Sequence, residues 1–256
     1  CKLLSSIDLS TFNTESVTNI ASMFYGCSKL ATIDLKKFNT SKVTDMSFMF
    51  YNCTSASNID TSLFDTSNVT TMAGMFANCS NLKSLDLSNF NTKNVKAFGT
   101  ITWRGMFYNC SKLEELNVSS FDTSNANNMY MMFANCRSLK KLDLSNFKTP
   151  NLTSMESMFA NCSSLESLDL SSFDTSKITI TSDDSSTTGL FSDCSSLTSL
   201  NVSSFNTEKM TDMKRMFANC SSLKSLDLSS FDFSNVTRYT EFFKGNVSFN
   251  VYVKDQ

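Results

Sequence analysis

The chain has 256 residues, with 22 Lys and Arg against 24 Asp and Glu, no His, 6 Gly and 1 Pro. This near-balance of interspersed charge excludes the basic footprint of a nucleic-acid binder or a polybasic membrane-surface protein. With 41% hydrophobic residues and 23 Phe the chain can bury a large core, so its richness in Ser, Thr and Asn marks corners made by polar side chains rather than disorder.

No run approaches the ~18 apolar residues that span a bilayer, and no basic-then-apolar segment opens the chain, so no membrane insertion is expected of this stretch. It starts at Cys1, inside a repeat, and so reads as a fragment or a processed product.

The repeat shows in the cysteines, at 1, 27, 53, 79, 110, 136, 162, 194 and 220. Successive gaps are 26, 26, 26, 31, 26, 26, 32 and 26, one period with two insertions. The first half of each unit, as in Leu82, Leu85 and Leu87 or Leu223, Leu226 and Leu228, alternates apolar and polar positions and predicts a short strand with one buried face. The second half, as in Val17, Ile20, Met23, Phe24 and Cys27, spaces its apolar residues by three, three, one and three, the stripe of a helical turn. Asn68, or the pair Thr66 and Ser67, would cap such a turn. No unit can cover its own apolar positions, so stability has to come from stacking on the units before and after.

Further along the chain, the first insertion falls near 96–103 and brings Phe98, Trp103 and Arg104; the second falls near 179–188 and brings Asp183 and Asp184. Extra residues in a solenoid map to protruding loops, often on a binding face. At 246–256, Asn246 stands where Cys is expected, and Val247, Phe249, Val251 and Val253 alternate with polar residues, as in an edge strand or cap.

The unit Leu-x-x-Leu-Asp-Leu-Ser-x-Phe-x-Thr-Ser-x-Val-Thr-x-Met-x-x-Met-Phe-x-x-Cys-Ser resembles the BspA-like leucine-rich repeats of bacterial and protist surface proteins, and the likeness covers nearly the whole chain. Met-Phe-Ala-Asn-Cys-Ser recurs at 75–80, 158–163 and 216–221. The expected architecture is α/β: a single right-handed leucine-rich-repeat-type solenoid over 1–256 of about nine coils, a parallel sheet on one face and short helices on the other. Phe12, Phe38, Phe64, Phe90, Phe121, Phe147, Phe173, Phe205 and Phe231 stand about where ordinary members carry an asparagine, which predicts an aromatic spine. The resemblance implies an extracellular, cell-surface location and adhesion to protein or glycan on host or neighbouring cells.

The candidate site residues are columns. Asp8, Asp34, Asp60, Asp86, Asn117, Asp143, Asp169, Asn201 and Asp227 would point outward on the sheet face, flanked by Ser pairs at 119–120, 171–172, 203–204 and 229–230. This column reads either as a cation- or ligand-binding strip or as Asp bonded to nearby backbone and hydroxyl groups. A flat row of single carboxylates does not supply the six or more oxygens that calcium needs. The cysteines from Cys27 through Cys53, Cys79, Cys110, Cys136, Cys162 and Cys194 to Cys220 read as a buried structural thiol column. No Cys-x-x-Cys pair exists and His is absent, so no ordinary zinc site, metal or cofactor is expected. Trp103 beside Arg104 reads equally as an interface anchor or as a loop folded back. Near-identical coils offer columns rather than the dissimilar convergent residues of an active site, so no catalysis is expected. The leading expectation is a binding and adhesion module; the alternative is a spacer or fibre-forming repeat, with end-to-end self-association.

Overall fold

The computed structural model describes residues 1–102, 104–180, 188–247 and 249–254. The chain is a solenoid in which each repeat has a strand half and a turn half, and equivalent residues of successive repeats stack into columns. The strand half forms β1 (Ser84–Asp86), β2 (Glu115–Asn117), β3 (Ser167–Asp169), β4 (Ser199–Asn201), β5 (Ser225–Asp227) and β6 (Asn250–Tyr252). They pair in parallel as β1–β2, β3–β4 and β5–β6, with Leu85 opposite Leu116, Leu168 opposite Leu200 and Leu226 opposite Val251. The central residue of each strand faces inward and its two neighbours face outward in β1, β3 and β5, as a period of two dictates. The parallel pairing is as expected, but the continuous sheet is not: the described strands form three separate pairs.

The turn half corrects the expectation of short helices, for no helix occurs among the described residues. Its amides alternate in their use. Those of Ile20, Ser22, Phe24 and Gly26 donate to the carbonyls of Asp45, Ser47, Met49 and Tyr51 in the next repeat. Those of Met23, Tyr25 and Cys27 close local turns on Ile20, Ser22 and Phe24. A helix would instead direct every amide to the fourth residue back within its own segment. The chain is kept from that path by left-handed residues, two in each turn segment except those after the insertions, where Asn109 and Asp193 stand alone. One is always Asn, Asp or Gly, from Gly26 (φ 71°) through Asn52 (φ 60°) to Asn219 (φ 58°), the residues that tolerate the third position of such a turn. The other is usually not Gly: Ser22, Phe48, Met131, Ser157, Arg215 and Glu241 all have φ between 49° and 60°. Asn68 caps no helix; its side-chain amide donates to the Ser41 carbonyl at 2.7 Å, and the Thr66 hydroxyl donates to Asn91 at 3.0 Å.

Two phenylalanine columns run through the core. Phe24, Phe50, Phe76, Phe107, Phe133, Phe159, Phe191 and Phe217 stack on the turn side with ring centroids 5.5–6.0 Å apart. On the strand side the expected spine is present from Phe38 to Phe231, with described stacks 6.0–6.4 Å apart, while Phe12 is half exposed. The stack is thus tighter on the turn side. That agrees with the turn-side bridges running through Asn19, Asp45, Thr71, Ala97, Asn128 and Ser154 while strand pairing is intermittent.

The expected C-terminal segment holds β6, beside a change in the columns. Phe233 stands where earlier repeats have Thr, and Phe242 packs edge-on against Phe217 and Phe243 at 81° and 77°, while Phe243 continues the turn-side column by stacking on Phe217 at 5.8 Å. The insertions depart from the turn ladder and rejoin it at fixed rungs. Gly105 marks the first return: a Cβ there would lie 2.2 Å from the Met131 carbonyl oxygen.

A buried threonine column, missed in the sequence, ties the repeats between the two halves. Thr149 Oγ1 accepts from the Asp174 amide at 2.8 Å and donates to the Asp174 carbonyl at 2.9 Å. Thr40, Thr66, Thr123, Thr175 and Thr207 do the same one repeat on. Thr149→Val keeps the shape but removes both bonds, so it should destabilise the chain by about 1–3 kcal/mol in urea unfolding, whereas Thr149→Ser should restore most of the loss.

Candidate binding surface

Each polar corner is built by an Asx turn. Asp8, Asp34, Asp60, Asp86, Asp143, Asp169 and Asp227 accept the amide two residues on at 2.9–3.1 Å, and Asn117 and Asn201 do the same at 3.1 Å. The column faces outward and is exposed, apart from the half-buried Asn201. Hydrogen bonds from the backbone and side chain of the serine two residues on hold the carboxyls of Asp8, Asp60, Asp86, Asp143, Asp169 and Asp227 below the ordinary carboxylate range. In these six, one carboxylate oxygen closes a turn while the bonds favour the charged form, so the column is both a corner device and a negatively charged strip.

The serine pairs divide their work. The first member supplies the amide to the Asx turn, while the hydroxyls of Ser120, Ser172, Ser204 and Ser230 donate to corner carbonyls of the preceding repeat, such as Leu87 and Leu170 at 2.9 Å. Asn89 and Asn146 fill the same position with their amides. These second members therefore hold repeats together and are not free to bind a ligand.

Cys27, Cys53, Cys79, Cys110, Cys136, Cys162, Cys194 and Cys220 are buried free thiols, and Cys1 is exposed. From Cys53 on, each thiol donates to a phenylalanine carbonyl of the preceding repeat, as Cys136 does to Phe107 at 3.2 Å. Burial pushes the Cys53, Cys110, Cys162 and Cys220 thiols up to about 12.

Of the insertion candidates, Trp103, Asp183 and Asp184 lie outside the described residues. Phe98 is no loop residue: it is fully buried in the column of Met46, Met72 and Met129 and stacks on Phe121 at 5.5 Å. The extra residues of the first insertion therefore begin after it. Arg104 lies 5.0 Å from the centre of the Tyr108 ring, and its guanidinium donates to the Met131 sulfur at 3.2 Å. On the adjoining turn surface Tyr25 and Tyr51 stack at 4.8 Å.

The family model described as "Mycoplasma protein of unknown function, DUF285" matches residues 2–102, 100–185 and 185–255. The chain belongs to this family. A search of curated proteins finds no match to the DUF285 chain. Among solved structures, a leucine-rich repeat protein of Eubacterium ventriosum shares 19% identity over 90% of this chain and 63% of its own, with a TM-score of 0.49. A leucine rich cell surface protein of Faecalibacterium prausnitzii shares 17% over 94% and 77%, with a TM-score of 0.37. The leucine-rich repeat protein of T. pallidum shares 16% over 81% and 72%, with a TM-score of 0.41. The DUF285 chain thus spans less than two thirds of the E. ventriosum protein. By its own leucine columns and parallel strand pairs it is a leucine-rich repeat solenoid.

The raised thiols give an alkaline test. Folding holds their protons from the ordinary value of 9.0 up to about 12, so their contribution is fully present below 9 and lost as pH rises through that window. The unfolding midpoint should fall across it, and less steeply in a Cys136→Ala, Cys162→Ala variant. Native thiols from Cys53 to Cys220 should resist a thiol reagent at pH 8 until urea is added.

Proposed function

We propose that this chain is a non-catalytic binding and adhesion module of an extracellular surface protein, contacting protein or glycan through the outer face of its strand halves and its two insertions. The carrying observation is the division between a closed interior and a patterned exterior. The inward columns of Leu, Met, Phe, Cys and Thr fill the coil, while the outer strand face sets ionised Asp beside hydroxyl and amide groups in rows one repeat apart. Repetition spreads the polar groups along a strip, which suits an extended partner surface better than a reacting small molecule. The BspA-like motif and the surface location named for the F. prausnitzii protein support a place outside the cell.

The experiment is a pull-down from extracellular matrix and mucus with the intact chain, a chain lacking 100–104, and a chain with Asp143→Asn and Asp169→Asn. The intact chain should retain a partner that the altered chains retain several-fold less. Equal recovery by all three would defeat the proposal.

A further inference from the structure

One repeat breaks the pattern on the strand face. Between Cys53 and Phe64, Ala56 and Thr61 stand where the other repeats have Leu, or Val at the second position. Leu63 stands where neighbours have Asn89, Ser120 or Asn146, which donate back to the preceding repeat, and it is 61% exposed. Thr61 is 2% exposed in a column of Leu35, Leu87 and Leu144, and its hydroxyl oxygen has no hydrogen-bond partner among the described residues. The neighbouring backbone is open as well. No backbone hydrogen bond joins 57–61 to 83–87, although β1 pairs with β2 on its other side.

A depression of about 340 Å³ lies between these two segments, lined by Asn58 to Ser62 on one wall and Ser84 to Asp86, Ser88 and Asn89 on the other. Two of its lining side chains are the carboxylates of Asp60 and Asp86. Asp60 and Asp86 are held ionised by their serine hydrogen bonds, with only the distant field of Lys36 adding to Asp60, and neither has an ion-pair partner among the described residues. Asn89 is already committed, its amide donating to the carbonyls of Thr61, Ser62 and Phe64. What remains is two carboxylates, the buried Thr61 oxygen, and the backbone amides and carbonyls that the open segments leave unbonded.

We propose that this depression receives an arginine side chain presented by a protein partner. A guanidinium has five donors, no acceptor and a fixed positive charge, which complements a site that sets two carboxylates beside the buried Thr61 oxygen. Arginine is also among the residues that dominate protein interfaces. The inference rests on the strand face being a binding surface and names the chemistry it recognises at one repeat.

The test titrates the ¹⁵N-labelled intact chain with acetyl-Gly-Arg-Gly-amide and with the same peptide carrying citrulline. The arginine peptide should shift the amides of Ile59, Asp60, Thr61, Leu85 and Asp86 saturably, and the citrulline peptide should bind about tenfold more weakly or less. Asp60→Asn with Asp86→Asn should abolish the shifts while leaving the thermal midpoint unchanged, because Asn117 and Asn201 close the same turn in other repeats. Thr61→Leu, which restores the column residue, should fill the floor and also abolish them. The proposal is overturned by absent shifts at these amides, by equal response to citrulline, by binding that survives both variants, or by a stronger response to methyl mannoside or calcium chloride. If the pull-down partner is still retained while the arginine peptide fails, this inference falls and the module reading stands.

Discussion

Everything in this chain depends on each repeat having its peptide groups satisfied by the next. On the turn side, alternate amides cross to the following repeat and the rest close local turns, so no turn segment is complete by itself. A buried peptide group left without a partner costs on the order of 1–3 kcal/mol. That cost recurs in every repeat and fixes the axial registration of the coil. Hydrophobic burial supplies the driving force, but it is nearly indifferent to a small axial slip; the crossing amides, threonines and thiols are not.

The same constraint explains the composition. A coil that reverses direction several times in 26 residues needs corners, and Gly and Pro are scarce. Asp and Asn serve instead, by accepting an amide two residues on and by tolerating left-handed φ. Asp8, Asn13 and Asn19 each close such a turn within one repeat, and Asp34, Asn39 and Asp45 do so in the next. The acidic strip on the strand face is therefore a by-product of corner construction. Repulsion along it is limited where Asn117 and Asn201 replace Asp, since an amide oxygen closes the turn equally well.

The strand half was legible in the sequence because a period of two has one structural meaning, and Leu82, Leu85 and Leu87 could be assigned to a buried face directly. The turn half was not, because spacings of three, three, one and three fit one helical turn and two linked β-turns equally well. The discriminating signal is the Asn, Asp or Gly before every cysteine from Cys27 onward, which lies inside the apolar stripe, where a left-handed residue would end a helix before it reached the cysteine. The threonine column was equally periodic, but in a chain so rich in Ser and Thr it passed for surface composition; only the geometry of Thr149 against Asp174 shows that it is buried and doubly bonded. The outward Asp column could be placed from sequence, whereas its engagement with the amide two residues on required coordinates. Cysteine spacing locates extra residues only to within a repeat, so it does not separate Phe98, which stands 26 residues after Met72 in the core column, from the insertion that follows it.

A stack of near-identical coils has a difficulty as a recognition surface: each row repeats, so a partner could bind in several registers with similar energy. Discrimination has to come from repeats that depart from the pattern, since specificity is a difference between affinities. The departures in this chain fall where the ladder tolerates them. The insertions leave after Phe98 and Ile180 and return at Gly105 and Gly189, where a Cβ would strike the next repeat's backbone. Ala56, Thr61 and Leu63 fall on the splayed strand side, where pairing is already intermittent and losing a leucine opens a hollow without breaking the turn-side bridges through Asp45 and Thr71. The tight turn side can thus preserve the register while the looser strand side varies, and that separation lets one repeat acquire a specific site without unfolding its neighbours.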